Sequence, residues 1–146
     1  MKARHRAREV ALQILYRYDV AAQADGTPIP TGAALAQDLT RHFDHFQVTA
    51  DLREFAAQLV AGTLTARAEL DALIEAAVSN WKLNRLAVID RSLLRMSAYE
   101  MKNFPETSIS VIIDEAVELG KQFGSADTPA FVNGVLDALK SSLRAP

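Results

Sequence analysis

The chain has 146 residues and a mass of 16.0 kDa, which suits one domain, 1–146, with a sizeable core and is too little for two. Apolar residues make up 49% and charged residues 23%, and the lack of any cysteine excludes disulfides, thiolate zinc sites and cysteine nucleophiles. No apolar run approaches the ~20 residues of a bilayer span, and the stretch Val10 to Tyr16 is too short for a signal peptide, so a cytoplasmic protein with no membrane contact is expected.

The formal charge of −2 hides an asymmetry. Residues 1–17 carry Lys2, Arg4, Arg6, Arg8 and Arg17 against Glu9, a net of +4, whereas the remaining 129 carry 11 basic and 17 acidic side chains, a net of −6. A basic end on an acidic body is either a local handle for a polyanion or a solubilising terminus.

The periodicity is helical almost throughout. In the first segment Ala7, Val10, Ala11, Ile14, Leu15 and Tyr18 form one apolar stripe. Gly26, Pro28 and Pro30 end it, and Thr31 is placed to cap a second helix carrying Leu35, Leu39, Phe43 and Phe46. A third run holds Leu52, Phe55, Ala56, Leu59 and Val60, with Gly62 and Thr63 near its end. A fourth holds Leu70, Leu73, Ile74, Ala77 and Val78 and points toward Trp81. Residues 86–102 are apolar on several sides, which predicts a central helix covered by others, ended by Asn103 and Pro105. Ser108 to Ile113 begins with strand-like alternation, but its continuation through Ala116, Leu119, Gly120 and Phe123 is helical, and Gly124 suits the stop. Asp127 or Thr128 is placed to cap a last helix with Pro129 in its first turn and Val132, Val135, Leu136, Leu139 and Leu143 inward. Asn133-Gly134 is a hairpin signal in isolation, but with helical flanks Gly134 is expected to permit close helix packing and Asn133 to bond a neighbouring backbone group, with RNA contact the alternative for Asn133. About seven helices with short connections imply a compact all-α domain.

Catalytic signatures are missing. There is neither GxGxxG nor GxxxxGK nor HExxH. His42 and His45 share a helical face near Asp38 and Asp44, but no third ligand is evident, and a solvated face is the plainer reading. Asp114, Glu115 and Glu118 read the same way. No enzyme, metal site or cofactor is expected.

The first helix is more informative. Arg4, Arg8, Leu12 and Tyr16 follow at steps of four, flanked by His5 and Arg6. Guanidinium groups pair with phosphates, and a tyrosine beside them can stack on an unpaired base, a combination that suits single-stranded RNA better than duplex DNA. Tyr16 is open between that role and a core position.

Three blocks carry a resemblance: Arg6-Ala7-Arg8-Glu9 with Leu15-Tyr16, Asp90-Arg91-Ser92-Leu93-Leu94-Arg95 with Tyr99-Glu100, and Phe123-Gly124 through Phe131-Val132-Asn133-Gly134-Val135-Leu136-Asp137. In this order and over nearly the whole chain, the sequence resembles the NusB family of bacterial transcription antitermination factors. The resemblance implies an all-helical fold of two packed helical subdomains. It also implies binding of boxA RNA in ribosomal RNA leaders as a heterodimer with the ribosomal protein NusE, within a complex that includes NusA, NusG and RNA polymerase. The family's RNA contacts carry over to Arg4, Arg6, Arg8, Tyr16, Lys121, Asp127 and Phe131. His5 stands where many relatives continue the arginine run, and a histidine supplies less charge near neutrality. Phe131 is open between a base stack and the core, while Asp127 opposes RNA electrostatically and reads first as a cap. For NusE the resemblance points to Asp90, with Glu75 and Arg95 beside it. An ordinary ion pair between Asp90 and a nearby arginine is the alternative.

Two other readings compete. A similar helical domain begins certain ribosomal RNA methyltransferases, which also need a cofactor domain with a glycine-rich turn; this chain stops at Pro146 without one. The other is a non-catalytic protein-interaction module whose basic helix docks an acidic protein.

Overall fold

A computed structural model describes residues 2–78 and 83–144. Its helices are α1 (Lys2–Asp25), α2 (Gly32–His45), α3 (Ala50–Thr65), α4 (Arg67–Ala77), α5 (Val88–Asn103), α6 (Ile109–Phe123) and α7 (Thr128–Leu143), with a 3-10 turn at Leu83–Arg85. No strand occurs among the described residues, in keeping with the all-α expectation. Trp81 lies outside the described residues. The chain forms two compact units, Met1–Ala61 and Gly62–Pro146, with the boundary inside α3.

In the first unit the α1 stripe is buried at Ala7, Val10, Ala11, Ile14 and Leu15, while Tyr18 is half-buried. The chain leaves α1 through Gly26, whose φ of +72° favours glycine. The Asp25 carboxylate accepts from the Thr27 N–H at 3.0 Å and from its hydroxyl, which holds the turn and pulls the Asp25 pKa down. Thr31 occupies the predicted cap of α2, but its side chain makes no capping bond; only its carbonyl serves, accepting from Leu35 N–H at 3.2 Å. Arg53 of α3 donates to Val48 O at 2.9 Å and Asp44 Oδ1 at 2.8 Å and lies over the Phe43 ring, joining α3 to the end of α2.

In the second unit α5 is central as predicted. Residues 91–98, Glu100 and Met101 are buried, and α5 packs on α4, α6 and α7. Ser108 caps α6 by accepting from Val111 N–H at 3.2 Å, which explains why the alternating start is helical. Beyond the end of α7, Arg144 donates to Met101 O, Phe104 O and Thr107 O at 2.6–3.1 Å, tying the end of α7 to the end of α5 and the turn after it.

Several local expectations are corrected here. Asp127 stands before α7 in a helical backbone conformation with no side-chain capping bond, and Thr128 uses its hydroxyl elsewhere, so neither caps the helix through its side chain. Gly124 ends α6 at φ −97°, not in the left-handed region. Its requirement is space: a Cβ there would lie 2.5 Å from Thr128 Oγ1. Gly134 faces open space, so it does not serve close helix packing, and Asn133 is exposed beside it.

Candidate nucleic-acid interface

An α-helix advances about 100° per residue, so side chains two apart point to nearly opposite sides. Arg4 and Arg8, four apart, share one side of α1, and Arg6 occupies the other. The first pair meets Phe55 of α3: the Arg4 guanidinium lies 4.2 Å from the ring centroid and that of Arg8 5.5 Å. Arg8 is only 2% exposed and Arg4 is half-buried. The single arginine patch expected from the sequence is therefore divided, because the aromatic face of Phe55 takes two of its members.

Arg6 is exposed, with Glu9 Oε1 3.4 Å from its guanidinium. Following that side of α1, Tyr16 is 39% exposed, Arg17 is exposed and Val20 is 37% exposed. Tyr16 is thus not a core residue; its ring lies on the surface beside Arg17. Arg17 is the member that sequence reasoning missed as a site residue. The signal was available: Arg6 and Arg17 are eleven apart, three turns to within about 20°. Such a stripe combines two guanidinium groups suited to phosphate oxygens with an exposed aromatic ring, the group on which an unpaired base stacks.

Behind this stripe α1 and α2 are joined by a polar cluster. Tyr18 Oη donates to Asp38 Oδ2 at 2.5 Å, Arg41 reaches Asp38 Oδ1 at 2.6 Å, and His42 Nε2 lies 3.2 Å from Asp38 Oδ2. Burial pushes the Asp38 pKa up, but the bonds from Arg41 and Tyr18 outweigh it, leaving a net depression. Burial holds His42 below the usual histidine range despite Asp38, and burial with the bond to Asp38 raises Tyr18 well above the usual phenol range. The face expected to be merely solvated is thus a helix–helix contact at His42, while His45 is exposed. Among the described residues no group of three or more His, Asp or Glu is arranged to hold a metal.

In the second unit Lys121 in the last turn of α6 and Ser125 and Asp127 in the connection to α7 are exposed, and Phe131 in the first turn of α7 is half-buried. Lys121 stands 3.3 Å from Glu118. Asp90, in the first turn of α5, is half-buried and accepts from the Thr128 hydroxyl at 2.7 Å, so its partner is a hydroxyl where an arginine was the alternative. Glu75 is exposed, and its Oε2 accepts from Leu83 N–H at 3.1 Å, steadying the 3-10 turn. Arg95 is 7% exposed and forks onto Asp71 with bonds of 2.6 and 3.1 Å, so its guanidinium is committed inside the unit. Of the three partner-side candidates, the structure leaves Asp90 and Glu75 accessible.

The exposed arginine–tyrosine stripe of α1 is a surface of the nucleic-acid-binding class. The NusB family model matches residues 5–141, and the chain belongs to this family. It is 41% identical over 143 residues to the transcription antitermination protein NusB of Elusimicrobium minutum, covering 96% of this chain and 94% of that one. The solved structure of T. maritima NusB matches with a TM-score of 0.82 at 31% identity, over 98% of this chain and 93% of the other. A crystal structure of the antitermination factors NusB and NusE in complex with dsRNA matches with a TM-score of 0.78 at 25% identity, over 97% and 98%.

Proposed function

We propose that this protein is a non-catalytic, cytoplasmic RNA-binding antitermination factor that takes boxA-type single-stranded RNA together with a NusE-type ribosomal protein. In this role it would serve a complex containing NusA, NusG and RNA polymerase. The observation that carries the reading is the exposed Arg6–Tyr16–Arg17 stripe of α1 in a chain of the NusB family. Arg6 and Arg17 take phosphates, Tyr16 takes an unstacked base, and Arg4 adds charge from its edge. Arg8, held on Phe55, positions the helix and does not itself touch RNA. In the second unit Lys121 and Phe131 add contacts, and Asp127 moderates them. Asp90 with Glu75 offers acidic groups to a basic partner, while Arg95 keeps α4 on α5.

The test is a pair of charge reversals. Arg6→Glu with Arg17→Glu should abolish RNA binding by the isolated protein and leave NusE binding nearly intact. Asp90→Lys should do the opposite, since a like charge at a partner-facing position costs several kcal/mol. Circular dichroism establishes that each variant is folded. Loss of NusE binding in the folded arginine variant, or unchanged NusE binding in Asp90→Lys, would refute the assignment.

A further inference from the structure

Asp90 and the turn between α6 and α7 meet at a single hydroxyl. Thr128 Oγ1 donates to Asp90 Oδ1 at 2.7 Å and accepts from Ser125 N–H at 3.0 Å, with Ser125 Oγ 3.3 Å away. A hydroxyl has one proton to give, so with that proton on Asp90 the Ser125 hydroxyl is the donor in their contact. Thr128 is 1% exposed. Its place is shaped by two glycines of the α6 end: a Cβ on Gly124 would lie 2.5 Å from Oγ1, and one on Gly120 3.1 Å from Cγ2. The side chain fits there because neither position carries a Cβ.

We infer that Thr128 is a positioning residue that couples the partner-facing Asp90 to the RNA-facing turn from Ser125 to Phe131. The inference rests on the function proposed above. Asp90 uses Oδ1 for Thr128, and among the described residues no hydrogen bond occupies Oδ2, which is the oxygen a partner cation would take. A cation there draws the carboxylate and alters its bond with the hydroxyl. Thr128 is buried and the same hydroxyl oxygen accepts from Ser125 N–H, so the change passes to the backbone of the turn through that bond. By linkage the effect is reciprocal: RNA on the turn tightens the partner, and the partner tightens RNA by the same factor.

The experiment measures the affinity of the full chain for a boxA-type RNA oligonucleotide with and without saturating NusE. Wild type should show a coupling of at least about fivefold. Thr128→Val should bring the factor, taken as the ratio of the affinities with and without NusE, close to one, and Thr128→Ser should keep it near the wild-type value. Coupling that survives in Thr128→Val, or is abolished equally in Thr128→Ser, overturns the inference. If Thr128→Val does not fold, the wild-type amide resonances of Ser125 and Phe131 decide: a shift on adding NusE without RNA supports the relay, and unmoved resonances overturn it. Binding of both ligands without coupling overturns the relay alone. Failure of wild type to bind either ligand overturns the proposed function and the relay together.

Discussion

A methyl group at residue 124 would stand 2.5 Å from the Thr128 hydroxyl oxygen, while one at residue 134 would meet nothing within 4 Å. Two glycines of the same block therefore have opposite tolerances. Gly124→Ala must displace the α6–α7 turn and should cost about 1–3 kcal/mol, the usual range for overpacking. Gly134→Ala lies inside α7 and should stabilise by about 0.5–1 kcal/mol, the glycine–alanine difference in a helix. Urea unfolding of the two variants decides both signs. The same division holds for the arginines. Arg8→Ala strips a buried guanidinium from Phe55 and should cost about 1–2 kcal/mol, whereas Arg6→Ala at the surface should stay within about 0.5 kcal/mol. RNA affinity should move the other way round. Removing one phosphate-bound guanidinium should flatten the salt dependence by about 0.7 in logarithmic slope, so Arg6→Ala lowers the slope in a titration against salt.

At the scale of elements, the α1–α2 contact is a pH-sensitive joint. His42 is held below its ordinary pKa of 6.5 in the folded chain, chiefly by burial, and faces Asp38 together with Tyr18, Arg41 and the charge of Arg17. The unfolded chain therefore takes up this proton first, and stability is lost as pH falls from above 6.5 through the folded value. Asp38 acts in the same direction at lower pH: its folded pKa lies below 3.8, so its contribution is present above 3.8 and lost below. The urea midpoint should fall between about pH 7 and about pH 5, and His42→Gln should flatten that fall. An unchanged slope in His42→Gln would remove His42 from the joint.

The element scale also shows what the sequence could reveal. Apolar periodicity placed the helices, and the many-sided pattern of residues 86–102 correctly identified a central one. Caps were harder. Ser108 was a cap without being singled out, while Thr31 and Asp127 stood at cap positions without using their side chains. A cap depends on the rotamer chosen among competing partners, and Thr128 shows the competition, since its hydroxyl goes to Asp90 on another helix. Steps of four aligned Arg4, Arg8 and Tyr16, yet Phe55 buried the first part of that line and left Tyr16 on the surface. Helical spacing tells which residues share a side; only tertiary packing tells which side is covered. Arg95 illustrates the same limit, since the Asp71 carboxylate that holds it lies on α4.

For the whole molecule, charge is divided between a basic start and an acidic body. In the proposed function the exposed stripe of α1 faces a polyanion, while Asp90 and Glu75 face a basic protein. The measurement that tests this most directly is fluorescence anisotropy of a labelled boxA-type RNA against a scrambled strand of the same length and composition, each with and without NusE and at several salt concentrations. The predicted result is salt-dependent binding that prefers the boxA strand and tightens when NusE is present. Equal affinity for the two strands, or no binding to either in the presence of NusE, would contradict it.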